Sequence, residues 1–231
     1  MTGTSNDSTR QEWLRKTLGA LPSGARILDA GAGELRNRAL CGHLQYVSQD
    51  NCQYEGGGNG VALHPGHWDT SRIDIVCDIT SIPEPNSSFD VILCSEVLEH
   101  LPDALAAMRE FVRLARPGGL IILTAPFASL THMAPYHYIS GFNGYWFRHH
   151  LTAMGCEVVE LSSNGNWFEF LAQEIRRIRQ VATQYSAGPA GVVARAVGGM
   201  FMLPLLGYLS KRDHGSADLM NHGWHVVARK K

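Results

Sequence analysis

Seven short apolar runs recur along the chain, each five to eight residues long, and most are separated by stretches with helical spacing. They are RILDA from Arg26, HLQYVSQD from His43, RIDIVCD from Arg72, FDVILCS from Phe89, GLIILTAP from Gly119, CEVVELS from Cys156 and WHVVARK from Trp224. Runs of this length, rich in β-branched residues, read as strands. The segment Pro102 to Arg116 carries Leu105, Met108, Val112 and Ala115 on one stripe and reads as a helix, as do Phe142 to Met154 and Trp167 to about Gln184. Strands alternating with helices require right-handed crossovers, which put helices on both faces of a mostly parallel sheet. The expected fold class is therefore α/β.

A length of 231 residues fits one domain spanning 1–231. Within it, residues 1–9 are polar and read as a disordered tail, and a lead-in helix follows from about Gln11 to Leu21. Residues 185–212 read as an apolar insertion before the last strand. Its run AGVVARAVGGMFMLPLLGYL is long enough to span a membrane, but Arg195, Pro204 and four glycines favour a buried or interfacial helix. Weak contact with a membrane surface through 190–209 stays open. Twenty Lys and Arg against 21 Asp and Glu leave no field to attract a polyanion, so nucleic acid is not an expected partner. Five scattered cysteines without a Cys-x-x-Cys pair, and no signal-peptide pattern, point to the cytoplasm.

The stretch Ile27 to Arg38, ILDAGAGELRNR, places Gly31, Ala32 and Gly33 after the first strand. Ligands of open α/β sheets bind at that edge, and glycine lets the backbone turn tightly beside them. A phosphate loop needs a Gly-Lys-Ser/Thr that is missing here. A dinucleotide fingerprint needs a third glycine where Arg36 stands. Asp50 ends the second strand 17 residues after Gly33, where a carboxylate could accept both hydroxyls of a ribose. Asp78 and Ile79 follow the third strand, where an acid could accept from an adenine amino group and an aliphatic side chain could pack on the purine.

The ordered set Asp29-Ala-Gly31-Ala-Gly33, Asp50, Asp78-Ile79, FDVILCSEVLEHLPD and RPGGLIILTAP resembles the class I methyltransferases that use S-adenosylmethionine, over about Leu21 to Val159. The resemblance implies a Rossmann-like seven-stranded sheet with an antiparallel last strand. It also implies that Asp29 and the glycines hold the methionine end, Asp50 the ribose, and Asp78 with Ile79 the adenine, with Ser95 and Glu96 lining the pocket. Many such enzymes carry a third glycine where this chain has Leu35.

After the fifth strand comes a loop rich in His, Tyr, Phe and Trp, suited to an acceptor site. His132 and His137 are candidate general bases; the alternative for each is a loop histidine bonded to a backbone carbonyl. His100 reaches the same edge, or else begins the next helix. Tyr136, Tyr138 and Trp146 could shape the acceptor pocket, with core packing as the alternative for Trp146. No metal is expected: His64-Pro-Gly-His67-Trp-Asp69 has weak ligand spacing and no second cluster. The loop and SNGNWFEFLAQEIRRI together resemble methyltransferases of polysaccharide and sugar-modifying clusters, which would give Asn164, Asn166 and Trp167 a sugar-binding role; a structural turn accounts for Asn164-Gly165-Asn166 equally well. The expectation is a metal-free O-methyltransferase of a sugar or glycan precursor. The alternatives are a lipid-like or quinone-like acceptor, held near Met200 to Leu209, and a cofactor-binding protein without catalysis.

Overall fold

The computed structural model describes residues 1–57, 63, 68–186 and 197–231. Where the sequence suggests one domain, these residues divide into two compact units: Met1–Gln11 with Ser163–His222, and Glu12–Ser162 with Gly223–Lys231.

All seven expected strands are present: β1 (Arg26–Ala30), β2 (Gln45–Asp50), β3 (Ile75–Val76), β4 (Phe89–Ser95), β5 (Ala115–Pro126), β6 (Cys156–Asn164) and β7 (Gly223–Lys230). They form one sheet in the order β3-β2-β1-β4-β5-β7-β6. The first five pair in parallel, and β7 runs antiparallel to β5. From β1 the chain turns outward to β2, and from β4 it turns the opposite way to β5. The loops leaving these two neighbours therefore diverge and leave a crevice at their carboxyl ends.

Strand alternation sorts the core into two layers. Ile27, Val91, Leu93 and Ile122 face α1 (Asn6–Gly19) through Leu14 and Leu18. Leu28, Ile92, Cys94, Ile121 and Leu123 face Met108 and Phe111 of α2 (Ala104–Leu114) and Phe147 and Leu151 of α3 (Gly144–Ala153). Helices thus cover both faces, as expected.

Three local differences from the expected elements have physical causes. The third strand shrinks from RIDIVCD to two residues because the Asp74 carboxylate itself accepts from the Ser48 N–H (2.9 Å) and hydroxyl (2.7 Å), replacing ladder bonds. Between β1 and β2 there is a single 3₁₀ turn, Arg38–Cys41, because Gly31, Gly33 and Leu35 all take positive φ and no helix can start until they are passed. Helix α2 begins at Ala104, where the Asp103 carboxylate caps the Ala106 N–H at 2.8 Å.

In the other unit, residues 1–9 are not a disordered tail. The Gly3 N–H donates to Glu169 at 2.6 Å, the Asn164 amide to the Asn6 carbonyl at 2.9 Å and Arg176 Nε to the Thr2 carbonyl at 2.8 Å, and α1 starts at Asn6. The glycine is needed at position 3: its φ is +74°, and a Cβ would lie 2.5 Å from the Gln173 nitrogen. This unit is built on α4 (Trp167–Tyr185), a π-helical turn (Gly198–Met202) and α5 (Leu203–Ser210). Among the described residues no helix is long and apolar enough to cross a membrane. Residues 187–196, which include the start of the apolar run, lie outside the described set. Met200, Phe201, Leu205 and Tyr208 are exposed.

His222 is 3% exposed, and burial pushes its imidazole down to about 4. The unfolded chain would bind a proton there near pH 6.5 and the folded chain would not, so falling pH favours unfolding between about 6.5 and 4. His100 has the same sign, while Asp29, raised to about 6, opposes them. The expected result is that His222→Gln flattens the loss of stability over that window by about 3 kcal/mol, read from urea unfolding at a series of pH values.

Candidate active site

The glycine loop is held by the strand beside it. The N–H groups of Gly31 and Ala32 donate to the Gln49 carbonyl at 2.8 and 2.9 Å, and the Gly33 N–H donates to the Asp50 carboxylate at 3.0 Å. Gly31 (φ +77°) and Gly33 (φ +50°) occupy the left-handed region, where a side chain is strained. There is also no room for one: a Cβ on Gly31 would lie 2.5 Å from Val97 Cγ2, and one on Gly33 would lie 2.7 Å from the Trp68 ring. Leu35, where the resemblance leads one to expect a third glycine, also has positive φ, +62°. Its side chain is 7% exposed, so burial worth about 2 kcal/mol offsets a strain of about 1–2 kcal/mol.

Asp29 does not point into the crevice. It is 1% exposed and accepts from the Tyr46 hydroxyl at 2.6 Å and from the Asn37 amide at 3.3 Å. Burial raises it to about 6, against the pull of those two donors. The alternation that puts Ile27 against α1 puts residue 29 on the same face, so this acid braces the loop from beneath. Asp50, at the end of β2, also accepts from the Cys52 N–H at 2.8 Å. Asp78 is exposed beyond β3, and the Thr80 hydroxyl and N–H, at 2.6 and 2.7 Å, hold it below the usual carboxylate range. Ile79 beside it is buried.

Across the crevice, Ser95 and Glu96 leave β4. The hydroxyls of Ser95 and Thr124 lie 2.8 Å apart, the Thr124 hydroxyl donates to Glu96 at 2.9 Å, and the Glu96 N–H donates to the Thr124 carbonyl at 2.9 Å. Glu96 is forced to φ +56° in making this turn. Tight loops on β1 and β4, carboxylates closing β2 and β3, and the Glu96 turn make one lined crevice. The residues there are chemically suited to S-adenosylmethionine: Gly31 and Gly33 carry no side chain, and the Asp50 and Asp78 carboxylates can accept from hydroxyl or amino groups.

The three candidate bases come together. His100 and His132 have ring centres 4.7 Å apart, His132 and His137 4.9 Å, and His100 and His137 5.9 Å. His100 does not begin α2; it closes a 3₁₀ turn (Leu98–His100), and its Nδ1 lies 2.6 Å from the Tyr136 carbonyl. Burial is the main reason it falls to about 4, so it is neutral at physiological pH. His132 Nδ1 meets the Leu130 carbonyl at 2.9 Å, the bonding that its alternative reading foresees. His137 Nε2 lies 3.1 Å from the Ser129 hydroxyl, and burial, with His132 beside it, lowers it below the usual histidine range.

The other expected residues divide. Tyr136 is half-buried, with its ring 6.5 Å from that of Tyr54. Tyr138 is exposed, and its N–H holds the Glu99 carbonyl. Trp146 packs against Phe142 and His150 as part of the core rim. In the other unit, the Asn166 amide oxygen caps α4 at the Glu169 N–H (3.0 Å) and its NH₂ meets the Ser210 hydroxyl at 3.1 Å, so its polar atoms serve the fold. Trp167 opens α4 with its ring beside Phe168. His64 and His67 lie outside the described residues.

Residues without a clear sequence signal also build the site. Trp68 covers Gly33, and Tyr54 stands edge-on to it at 5.8 Å. Gln49 Nε2 donates to the Cys77 carbonyl at 2.8 Å, tying the glycine loop's partner strand to β3. Buried Glu99 precedes His100. The alternation in QYVSQD marks Gln49 as a possible inward residue, but nothing local marks Trp68 or Tyr54.

The chain belongs to the family described as methyltransferase domain, whose model matches residues 7–178. A demethylmenaquinone methyltransferase from Beutenbergia cavernae is 29% identical over 193 residues, 81% of this chain and 75% of its own length. A ubiquinone biosynthesis O-methyltransferase from Xanthomonas campestris pv. campestris is 42% identical over 110 residues, 46% of this chain and 44% of its own length. The fold is shared with the [4+2]-cyclase SpnF (TM-score 0.57, 18% identity, 100% of this chain and 84% of that one). It is also shared with Haemonchus contortus phosphoethanolamine N-methyltransferase 2 in complex with S-adenosyl-L-methionine (TM-score 0.51, 18% identity, 96% of this chain and 52% of that one).

Proposed function

We propose that the chain moves a methyl group from S-adenosylmethionine to a hydroxyl of a quinol-like aromatic acceptor. The observation that carries this reading is the cluster of His100, His132 and His137 beside the β4 loop, with Tyr136 and Tyr54 next to it. A phenolic hydroxyl needs its proton removed, and flat aromatic walls suit a flat ring. The quinone-pathway names of the two curated relatives support this acceptor over a sugar. The sugar reading also loses its amide group, since the Asn166 NH₂ is engaged by Ser210 and its oxygen caps α4. In the other unit, the exposed apolar side chains Met200, Phe201, Leu205 and Tyr208 suit weak contact with a membrane surface.

Bound in the crevice, the cofactor supplies an electrophilic methyl on a positively charged sulfur. Gly31 and Gly33 would let the backbone approach its methionine end, while Asp50 and Asp78 would orient the adenosyl part. His137 takes the hydroxyl proton, and the lowered basicity of its ring keeps it neutral and able to do so at pH 7. S-adenosylmethionine held there would give up its methyl to the acceptor oxygen, with the electron pair of the broken carbon–sulfur bond left on sulfur.

The test is an acceptor panel with methyl-labelled cofactor, comparing short-chain demethyl quinols and catechols with free and nucleotide-linked sugars. Label in the quinol or catechol products supports the proposal, and label confined to sugars overturns it. Cofactor binding with no labelled product in any arm would favour a non-methylating role, a reading that the cyclase on this fold keeps in view.

A further inference from the structure

We propose that Glu99, His100 and His132 form a binding site for a first-row divalent cation of the zinc class. The proposal rests on the reading of this crevice as a methyl-transfer centre and adds a metal to it. One ligand atom from each of the three residues lies within 4.8 Å of the others. The Glu99 side chain is 1% exposed, and its Oε1 is 3.8 Å from His100 Nε2. A cation placed among them would contract the group by about an ångström on each side to reach ligand distances near 2.0–2.2 Å.

The second observation is the bonding behind the rings. Metal-bound histidines generally donate their other ring N–H to a carbonyl or carboxylate, which fixes the tautomer and aims the ligand nitrogen. Both histidines have that backing here, His100 Nδ1 from the Tyr136 carbonyl and His132 Nδ1 from the Leu130 carbonyl. With each Nδ1 donating to a carbonyl, each Nε2 is left with its lone pair.

Backbone bonds bring these two segments together. The N–H groups of Tyr138 and Ile139 donate to the Glu99 carbonyl at 2.9 and 3.1 Å. Leu63 pairs with the same loop, accepting from the Met133 N–H at 2.9 Å. The loop that carries His132 is thus tied to the turn that carries Glu99 and His100.

Two imidazoles and one carboxylate suit zinc and its neighbours, whereas magnesium prefers six oxygens. Three protein ligands leave a coordination position open. An acceptor hydroxyl placed there becomes more acidic: its proton passes to His137, and its oxygen keeps the electron pair. His137, whose Nε2 faces Ser129 and not a backbone carbonyl, stays outside the ligand set as the base.

The test is a Co²⁺ titration of the chelator-treated full chain, without cofactor or acceptor, read by visible d–d absorption. Wild-type protein should take up one equivalent and show the intense bands of a four- or five-coordinate site, and excess Mg²⁺ should not displace it. His132→Ala and Glu99→Gln should each weaken binding by at least about tenfold with circular dichroism unchanged. His149→Ala, which changes an exposed histidine on α3, should bind as wild type does. If Glu99→Gln fails to fold, His132→Ala on the loop decides alone. Absence of stoichiometric uptake, or His132→Ala binding with wild-type affinity and bands, overturns the proposal. Neither outcome depends on methyl transfer, so a failed metal site and a failed acceptor assignment are distinguishable.

Discussion

Gly31→Ala should cost about 2–5 kcal/mol of folding stability and weaken S-adenosylmethionine binding by more than tenfold. Two independent terms add. A residue with a Cβ at φ +77° is strained by about 1–2 kcal/mol. The new methyl would also sit 2.5 Å from Val97 Cγ2, and overpacking of that kind costs about 1–3 kcal/mol. Binding falls with stability because the same backbone must approach the cofactor, and relieving the clash shifts it. Urea unfolding and calorimetric titration read the two effects. Val97→Ala in the Gly31→Ala background should recover the overlap term and leave the conformational one. If Gly31→Ala is as stable as wild type and binds cofactor equally well, the loop does not have the role assigned to it.

The second large effect is on rate alone. His137→Gln should lower kcat by about 10²–10⁴ while leaving cofactor affinity unchanged, because the imidazole acts on the acceptor's proton and touches no part of the cofactor cradle. The pH profile gives a signature that a structural role would not produce. The base works when neutral, and burial together with His132 holds its pKa below the ordinary 6.5. The acid limb of kcat/KM should therefore lie below pH 6.5, with activity persisting as pH falls through that value. In His137→Gln this limb should vanish. An unchanged acid limb in the variant would move the base to another residue.

The strands were legible because short apolar runs bounded by polar turns carry their own signal, and all seven lie where that signal falls. Gly31 and Gly33 were legible for a different reason, since Gly-x-Gly after a strand marks a backbone that must turn without side chains. The role of Asp29 was not. Its position in the motif suggested a cofactor ligand, but five residues of alternation carry it to the face of Ile27, where Tyr46 and Asn37 claim its carboxylate. Leu35 hid its own conformation, because leucine rarely takes positive φ and does so here only with its side chain buried. The histidines were recognisable singly, yet 32 residues separate His100 from His132, and no periodicity in an irregular loop says that their rings lie 4.7 Å apart. Trp68 and Tyr54 come from a segment with no repeating pattern, so the approach of Trp68 to Gly33, and of Tyr54 to Trp68, is purely tertiary. Asn166 was read as a sugar ligand because an amide looks the same in sequence whether it caps a helix or binds a hydroxyl.

The central claim is that the crevice between the β1 and β4 loops holds S-adenosylmethionine with Asp50 at its ribose. The most direct measurement is calorimetric titration of the full chain with S-adenosylmethionine and S-adenosylhomocysteine, beside Asp50→Ala and Asp50→Asn. The account predicts saturable one-to-one binding that Asp50→Ala weakens by about 1–3 kcal/mol, with a comparable loss in Asp50→Asn because the amide replaces one acceptor oxygen by a donor. Absence of binding by natively folded wild-type protein, or equal affinity in both variants, would contradict it.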